Sequence, residues 1–326
     1  MSTSTAEITP ERLPDAGAAP PAHGSVRAGY AYGVAGYLWW GLFPIYFKAV
    51  ASANSVEVLA HRVIWAAPVL ALVLLWRRRF GEVIAVFRVR RQMRLILIST
   101  GLIGVNWFVY IYAVLTNRVS EASLGFFINP LVSVALGAIF LSERPSRLQW
   151  LAIALAAAGV GVRVWALGEL PWIALALPLA FGFYGLVRKT ATVKPIPGLF
   201  CEVTLLLPLA LGYLAYLLVA GDASFISAGP RLSLLLTLAG PVTIVPLLCF
   251  TTAAHRLPLA TMGLLQYLAP TGQLLLAVLV YQEAFGRPQL ASFALIWVAI
   301  ALYMADTLAQ ARRRRGRSEE ELLHDL

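Results

Sequence analysis

EASLGFFINPLVSVALGAIFLSERPSRLQ, residues 121–149, has a counterpart in TMGLLQYLAPTGQLLLAVLVYQEAFGRPQ, residues 261–289. Each opens with about 20 largely apolar residues, enough for a helix to cross a hydrocarbon core about 30 Å thick. At a constant offset of 140, Pro130 falls on Pro270, Glu143 on Glu283, Arg147 on Arg287 and Gln149 on Gln289. A proline inside an apolar helix frees a carbonyl that a neighbouring group must satisfy, so two prolines in register weigh more than matched leucines. Outward from this pair the same offset puts Phe43 on Phe183, Lys48 on Arg188, Arg62 on Glu202 and Pro68 on Pro208. The chain reads as two similar halves.

Ten apolar segments are expected to span a membrane, at about 30–50, 56–76, 95–115, 121–141, 148–165, 172–187, 200–219, 233–254, 259–280 and 288–308. Five spans per half is odd, so the second half enters the bilayer from the opposite side. The fold class expected is therefore all-α integral membrane, with ten transmembrane helices arranged as two inverted five-helix repeats. The boundaries run 1–29, a disordered cytoplasmic tail; 30–165, the first repeat; 166–308, the second; and 309–326, a basic and acidic cytoplasmic tail. Inverted repeats are the architecture through which many secondary carriers alternate access.

Charge sets the orientation. Of the 26 Lys and Arg residues, 20 fall on one side of a ten-span chain, three (Arg118, Arg231, Arg287) on the other, and Lys48, Arg62 and Arg163 within spans. Positive loops stay in the cytoplasm, which puts both termini inside. Only 13% of the residues are charged, against about 25% for a soluble domain, so the net charge of +10 reads as topology rather than as nucleic-acid binding.

Other chemistries lack their residues. Cys201 and Cys249 lie in separate apolar runs without a metal-ligand spacing, and no GxxxxGK[ST] loop, HExxH motif or paired Asp cluster is present. No cofactor, metal or catalytic residue is expected, nor is a signal peptide. An intramembrane enzyme and a passive channel or scaffold stand as the alternatives to a carrier.

Several stretches together resemble the EamA-type drug/metabolite transporter superfamily: HRVIW at 61–65, NWFVYIYAV at 106–114, EASLGFFINPL at 121–131, FYGLVRK at 183–189, VPLLCFTTAAHRL at 245–257 and TMGLLQYLAPT at 261–271. The resemblance runs from about 30 to about 308. It implies ten spans, two EamA repeats and permease activity in a bacterial cytoplasmic membrane, with the third, fourth, eighth and ninth spans lining a central cavity. Where the family more often has Tyr, this chain has Phe126, so no role for that hydroxyl carries over.

Polar side chains within spans are costly in lipid and become site candidates. Asn106, Tyr110, Asn129, Gln266 and Tyr267 are the candidate solute-binding residues, the alternative being that Asn and Gln join helices by hydrogen bonds. Phe126, Asn129 and Ser133 share a helical face. No charged residue stands mid-span there, so the solute is expected to be neutral, zwitterionic or amphiphilic. Glu57, His61 and Arg62, with Lys48 and Glu121 at the same outer level, form the candidate coupling or gating group; it could equally be a snorkelling ring. His61 is the residue suited to proton coupling. The reading is a carrier for a small metabolite or drug-like solute, leaning towards export.

Overall fold

A computed structural model of the chain describes residues 23–324, which fold as helices joined by short connections, with no strand among the described residues. In chain order they are α1 His23–Gly41, α2 Phe43–Ala49, α3 Ser55–Trp76, α4 Phe80–Arg88, α5 Arg90–Leu115, α6 Val119–Phe140 and α7 Arg147–Leu167. There follow α8 Trp172–Thr190, α9 Pro195–Ala220, α10 Ser224–Ser227, α11 Pro230–Thr237, α12 Ala239–Ala254, α13 Leu259–Leu265, α14 Leu268–Leu275 with a π-helical turn Leu276–Val280, and α15 Arg287–His324.

Among the described residues, nine helical stretches are long and apolar enough to cross a membrane. Their outer faces carry large apolar side chains such as Trp76, 83% exposed, and Val219, 92% exposed, which a water-soluble surface would not tolerate in such number. Lipid is the solvent of those faces. The protein is a multi-pass membrane protein.

The segment expected as the first span, 30–50, is divided between α1 and α2 and is not one of the nine. Pro44 explains the break. Its ring excludes the carbonyl of Trp40 from the helical ladder, and the Gln273 side chain of α14 donates to that carbonyl instead, at 3.1 Å. Pro246 frees the carbonyl of Val242 in the same way, and Trp39 Nε1 donates to it at 3.1 Å. These two rescues tie α1 to α14 and to α12. Expected bounds also shift elsewhere. Helix α1 begins at His23, inside the expected tail of 1–29, whose remainder lies outside the described residues. Helix α15 continues to His324, through the expected tail at 309–326. The eighth and ninth segments are each broken, the former between α11 and α12, the latter between α13 and α14.

The stretch 77–94, expected as a loop, contains α4, whose Val83 and Val86 are buried. Glu82 accepts from Arg79 Nε at 2.7 Å and Nη2 at 2.9 Å and from Lys194 Nζ at 3.3 Å. Chiefly the Arg79 hydrogen bonds hold its carboxyl below the usual range, at about 2. Starts of helices are capped locally: Asn54 Oδ1 accepts from the amides of Val56 and Glu57, and Ser146 with Gln149 forms a reciprocal capping box.

Packing follows a reciprocal pattern. Helix α3 lies against α9 and α7 against α15; α6 lies against α8 as α1 does against α14; α5 lies against α8 as α1 does against α12; and α5 lies against α9 as α3 does against α12. Glycine permits the closest crossings. A Cβ on Gly240 of α12 would collide with the Trp65 carbonyl of α3, and one on Gly272 of α14 would stand 3.2 Å from Cα of Gly41. Small residues at crossings let helix backbones approach in a medium that offers no hydrophobic drive between them.

Candidate functional site

A cavity of about 670 Å³ enters the bundle between α6 and α8 on one side and α1, α12, α13 and α15 on the other. Its mouth lies beside Glu143, Lys189 and Gln310, and its deeper wall carries Pro130, Ser133 and Gln266. Both halves of the chain contribute to this wall. The volume suits a metabolite-sized solute.

The five candidate solute-binding residues are dispersed. Gln266 lines the cavity, its amide Nε2 donating to the Gly263 carbonyl at 3.1 Å. Asn129 is half-buried, adjoins the cavity-lining Pro130 and has Oδ1 without a hydrogen-bond partner. Tyr267 stacks on Phe127 with ring centres 6.2 Å apart, and its hydroxyl is unpartnered. Asn106 is buried and its Nδ2 donates to the Leu177 carbonyl of α8 at 3.0 Å, which is a helix-joining contact. Tyr110 lies in an aromatic core, 5.7 Å from Phe47 and 5.4 Å from Phe126, also with a free hydroxyl.

Nor do Glu57, His61 and Arg62 gather into one ion-paired cluster with Lys48 and Glu121. Glu57 Oε1 accepts from the amide of Phe225 at 3.0 Å while Oε2 has no partner. His61 stacks on the Phe225 ring at 4.7 Å, its Nδ1 accepting from Trp65 Nε1 at 3.2 Å and its Nε2 unpartnered. Lys48 donates to Asn117, and Glu121 pairs with Arg118 at 2.6 Å. Arg62 lies over Trp107 at 4.2 Å, with Phe43 and Phe47 at 5.7 and 5.8 Å. A desolvated cation–π contact contributes about 2 kcal/mol, whereas burying an ion costs several kcal/mol, so the aromatic rings alone do not balance this buried cation.

At the end opposite the cavity mouth, carboxylates accept from backbone amides. Glu283 accepts from Val119 and Ser120 at the start of α6, at 2.7 and 2.8 Å. Glu121 accepts from the amide of Ile173 at 3.0 Å, at the start of α8. Helix N-termini favour such anions through their free N–H groups and dipole. Beside them is a polar cavity of about 390 Å³, lined by Glu121, Arg163, Glu169 and Glu283 among others.

Sequence reasoning noted Glu202 only for its position in the repeat. It is wholly buried, accepts from Ser99 Oγ at 2.6 Å and Tyr184 OH at 3.2 Å, and meets Arg188 at 3.8 Å. A lone acid in the run CEVTLLLPL was the available sign; its three partners come from α5 and α8. No group of His, Cys, Asp and Glu able to hold a metal occurs among the described residues.

Residues 27–165 match the EamA-like transporter family. The chain is 45% identical to "Uncharacterized transporter PA0485" of Pseudomonas aeruginosa, over 89% of this chain and 97% of that protein. It is 43% identical to Protein RarD of Escherichia coli, over 88% and 97% respectively, and 41% identical to Protein RarD of Streptomyces exfoliatus, over 90% and 93%. A solved crystal structure shares the fold at a TM-score of 0.54 with 21% identity, covering 88% of this chain and 98% of that one.

Proposed function

The chain belongs to the EamA-like transporter family and is a membrane transporter, and from that premise we propose that it is a secondary carrier moving a small metabolite or drug-like solute by alternating access. The observation that carries this reading is the 670 Å³ cavity, walled by both halves; the opposite end, where Glu121 and Glu283 tie helix N-termini together, is read as the closed one. A conformer open at one end and closed at the other is one of the two states that alternating access requires. A channel would be continuous, and an enzyme would present convergent reactive groups in the cavity.

Ten spans in two inverted repeats, with α1 and α2 together as the first span, account for the reciprocal packing. Exchanging the halves carries α6 on α8 into α14 on α1, and α5 on α9 into α12 on α3. Local geometry supports the same reading. Ser142 and Gln282 both have positive φ, 55° and 53°, and Glu143 and Glu283 donate their amides to Gly137 and Ala277, 140 residues apart. With the charge bias, the cavity mouth beside Lys189 faces the cytoplasm of a bacterial cell, both termini lie inside, and the conformer is inward-open. Gln266 and Asn129 then contact solute, His61 and Glu57 sit at the closed outer end as coupling or gating groups, and export remains the favoured direction.

Reconstitution tests the mechanism. Proteoliposomes loaded with the solute identified by ligand-dependent thermal stabilisation should show saturable counterflow. Flux without counterflow would make the protein a channel, and chemical conversion of the solute in detergent would make it an enzyme.

A further inference from the structure

Arg62 is a buried cation without a carboxylate partner among the described residues. It is only 5% exposed, Nε has no hydrogen-bond partner, and no acid lies within ion-pair distance among the described residues. The other deeply placed arginines differ. Arg188 meets Glu202 at 3.8 Å; Arg163, also buried with Nε and Nη1 unpartnered and without an ion pair among the described residues, lines the polar cavity with Glu121, Glu169 and Glu283 instead of standing in an aromatic box. Two tyrosines share its rings: Tyr110 packs on Phe43 and Phe47, at 6.4 and 5.7 Å, and Tyr46 on Phe47 at 5.2 Å. Tyr46 OH is committed to the Leu235 carbonyl at 2.9 Å, whereas Tyr110 OH is buried and donates to nothing. A guanidinium and a hydroxyl, both donors and both unspent, therefore stand together among aromatic rings.

The position relative to the cavity gives the pair a use. Helix α6 carries Ser133 and Pro130 on the cavity wall. One turn further along the same face stands Phe126, whose ring contacts Tyr110 at 5.4 Å. Tyr110 in turn contacts Phe43 at 6.4 Å and Phe47 at 5.7 Å, the rings that flank Arg62. From Ser133 to Phe126 the rise along the helix is about 10 Å, and Phe126 joins that wall to the rings around the two donors, which do not themselves line the cavity.

We propose that Arg62 and Tyr110 form the receptor for a carboxylate borne by the transported solute, whose apolar body the surrounding rings of Phe43, Phe47, Phe126 and Trp107 accept. This rests on the carrier reading and narrows the neutral, zwitterionic or amphiphilic solute expected from sequence to one that bears a carboxylate. One guanidinium fork matches one carboxylate bidentately. A phosphate or dicarboxylate would leave charge unpaired, because among the described residues Arg62 alone is placed over these rings. The aromatic rings offset part of the cost of burying Arg62 and leave the remainder to the incoming anion.

The test uses the full-length protein in detergent, with benzoate as the probe and benzamide as its uncharged isostere, at constant ionic strength. Benzoate should raise the melting temperature saturably and benzamide should not. Tyr110→Phe, which keeps the ring, should weaken benzoate binding about tenfold, and Arg62→Gln by about tenfold to a hundredfold. Arg163→Gln should leave it unchanged. If Arg62→Gln does not fold, Tyr110→Phe and Arg62→Lys carry the test, the lysine losing the bidentate geometry. The assignment is overturned by equal shifts from benzamide, by chloride reproducing the benzoate shift, by benzoate binding that survives both Arg62 and Tyr110 substitution, or by no saturable shift at millimolar benzoate. Counterflow of labelled benzoate separates the two readings. Arg62-dependent binding without counterflow sinks the carrier and keeps the site, whereas counterflow indifferent to Arg62 keeps the carrier and sinks the site.

Discussion

Asn106 and Gln266 are both uncharged amides near the middle of apolar runs, yet their surroundings assign them opposite duties. Asn106 spends its Nδ2 on the Leu177 carbonyl of α8, and Gln266 lines the cavity. A hydrogen bond between membrane helices contributes about 0.6–2 kcal/mol, so Asn106→Leu should lower stability by that amount and leave solute affinity alone. Gln266→Leu should keep the melting temperature within about 0.5 kcal/mol of the parent and weaken counterflow. Equilibrium unfolding in detergent and counterflow at matched folded content check the pair, and the reverse assignment of losses would exchange their roles. Sequence could name both residues because polar groups in lipid stand out. It could not tell glue from lining, since the difference is made by Leu177 and Gly263, one of them 71 residues away. Arg62 shows the same limit: its presence in an apolar run was plain, but its counterpart tyrosine and aromatic box come from α2, α5 and α6.

At the scale of the element, carboxylates on helix starts tie neighbouring helices together. Glu283 receives two amides at the start of α6 with charge-assisted geometry. Glu283→Gln should cost about 1 kcal/mol, within the range found for lost caps and helix-dipole partners, read as a lowered melting temperature. A different carboxylate gives a pH signature. Glu82, held at about 2 by Arg79 and Lys194, has a folded value below its ordinary one, so its tie between α4 and the start of α9 stabilises fully above about pH 4.5 and fades as pH falls towards 2. The site is partly exposed and the gain is under about 1 kcal/mol. The difference in melting temperature between parent and Glu82→Gln should therefore shrink between pH 6 and pH 3, and a constant difference would show that the ion triad contributes nothing. Helix existence was legible from apolar length. The breaks at Leu42 and Leu238 were not, although Pro44 and Pro241 stand beside them, because whether a proline kinks or divides a helix depends on which distant group collects the freed carbonyl, here Gln273 for Trp40.

For the whole molecule, the constant offset between the halves and the charge bias together make a claim about which side of the membrane the cavity faces. If α6 and α14 are equivalent under inversion, the end tied by Glu283 and the end occupied by Glu143 are on opposite sides. The abundance of Arg and Lys near Glu143, including Arg144, Arg147 and Lys189, is the ground on which the proposed orientation puts that end in the cytoplasm. In a variant with Cys201 and Cys249 replaced by Ser, a cysteine at exposed, cavity-lining Ser133 should react with an impermeant thiol reagent in inverted vesicles and resist it in intact cells. Gly81→Cys, in the arginine-rich connection, should behave likewise. Asp222→Cys, between α9 and α10, should react in intact cells. Two other patterns are diagnostic. Labelling of Gly81→Cys in intact cells would reverse the orientation. Labelling of Ser133→Cys from both sides, with the two connections behaving as stated, would mean that both conformers are populated at rest. In that case Glu283→Gln, which loosens the outer closure, should increase the labelling of Ser133→Cys in intact cells relative to inverted vesicles. An unchanged ratio would remove the Glu283 contacts from the gating step and leave them as structure.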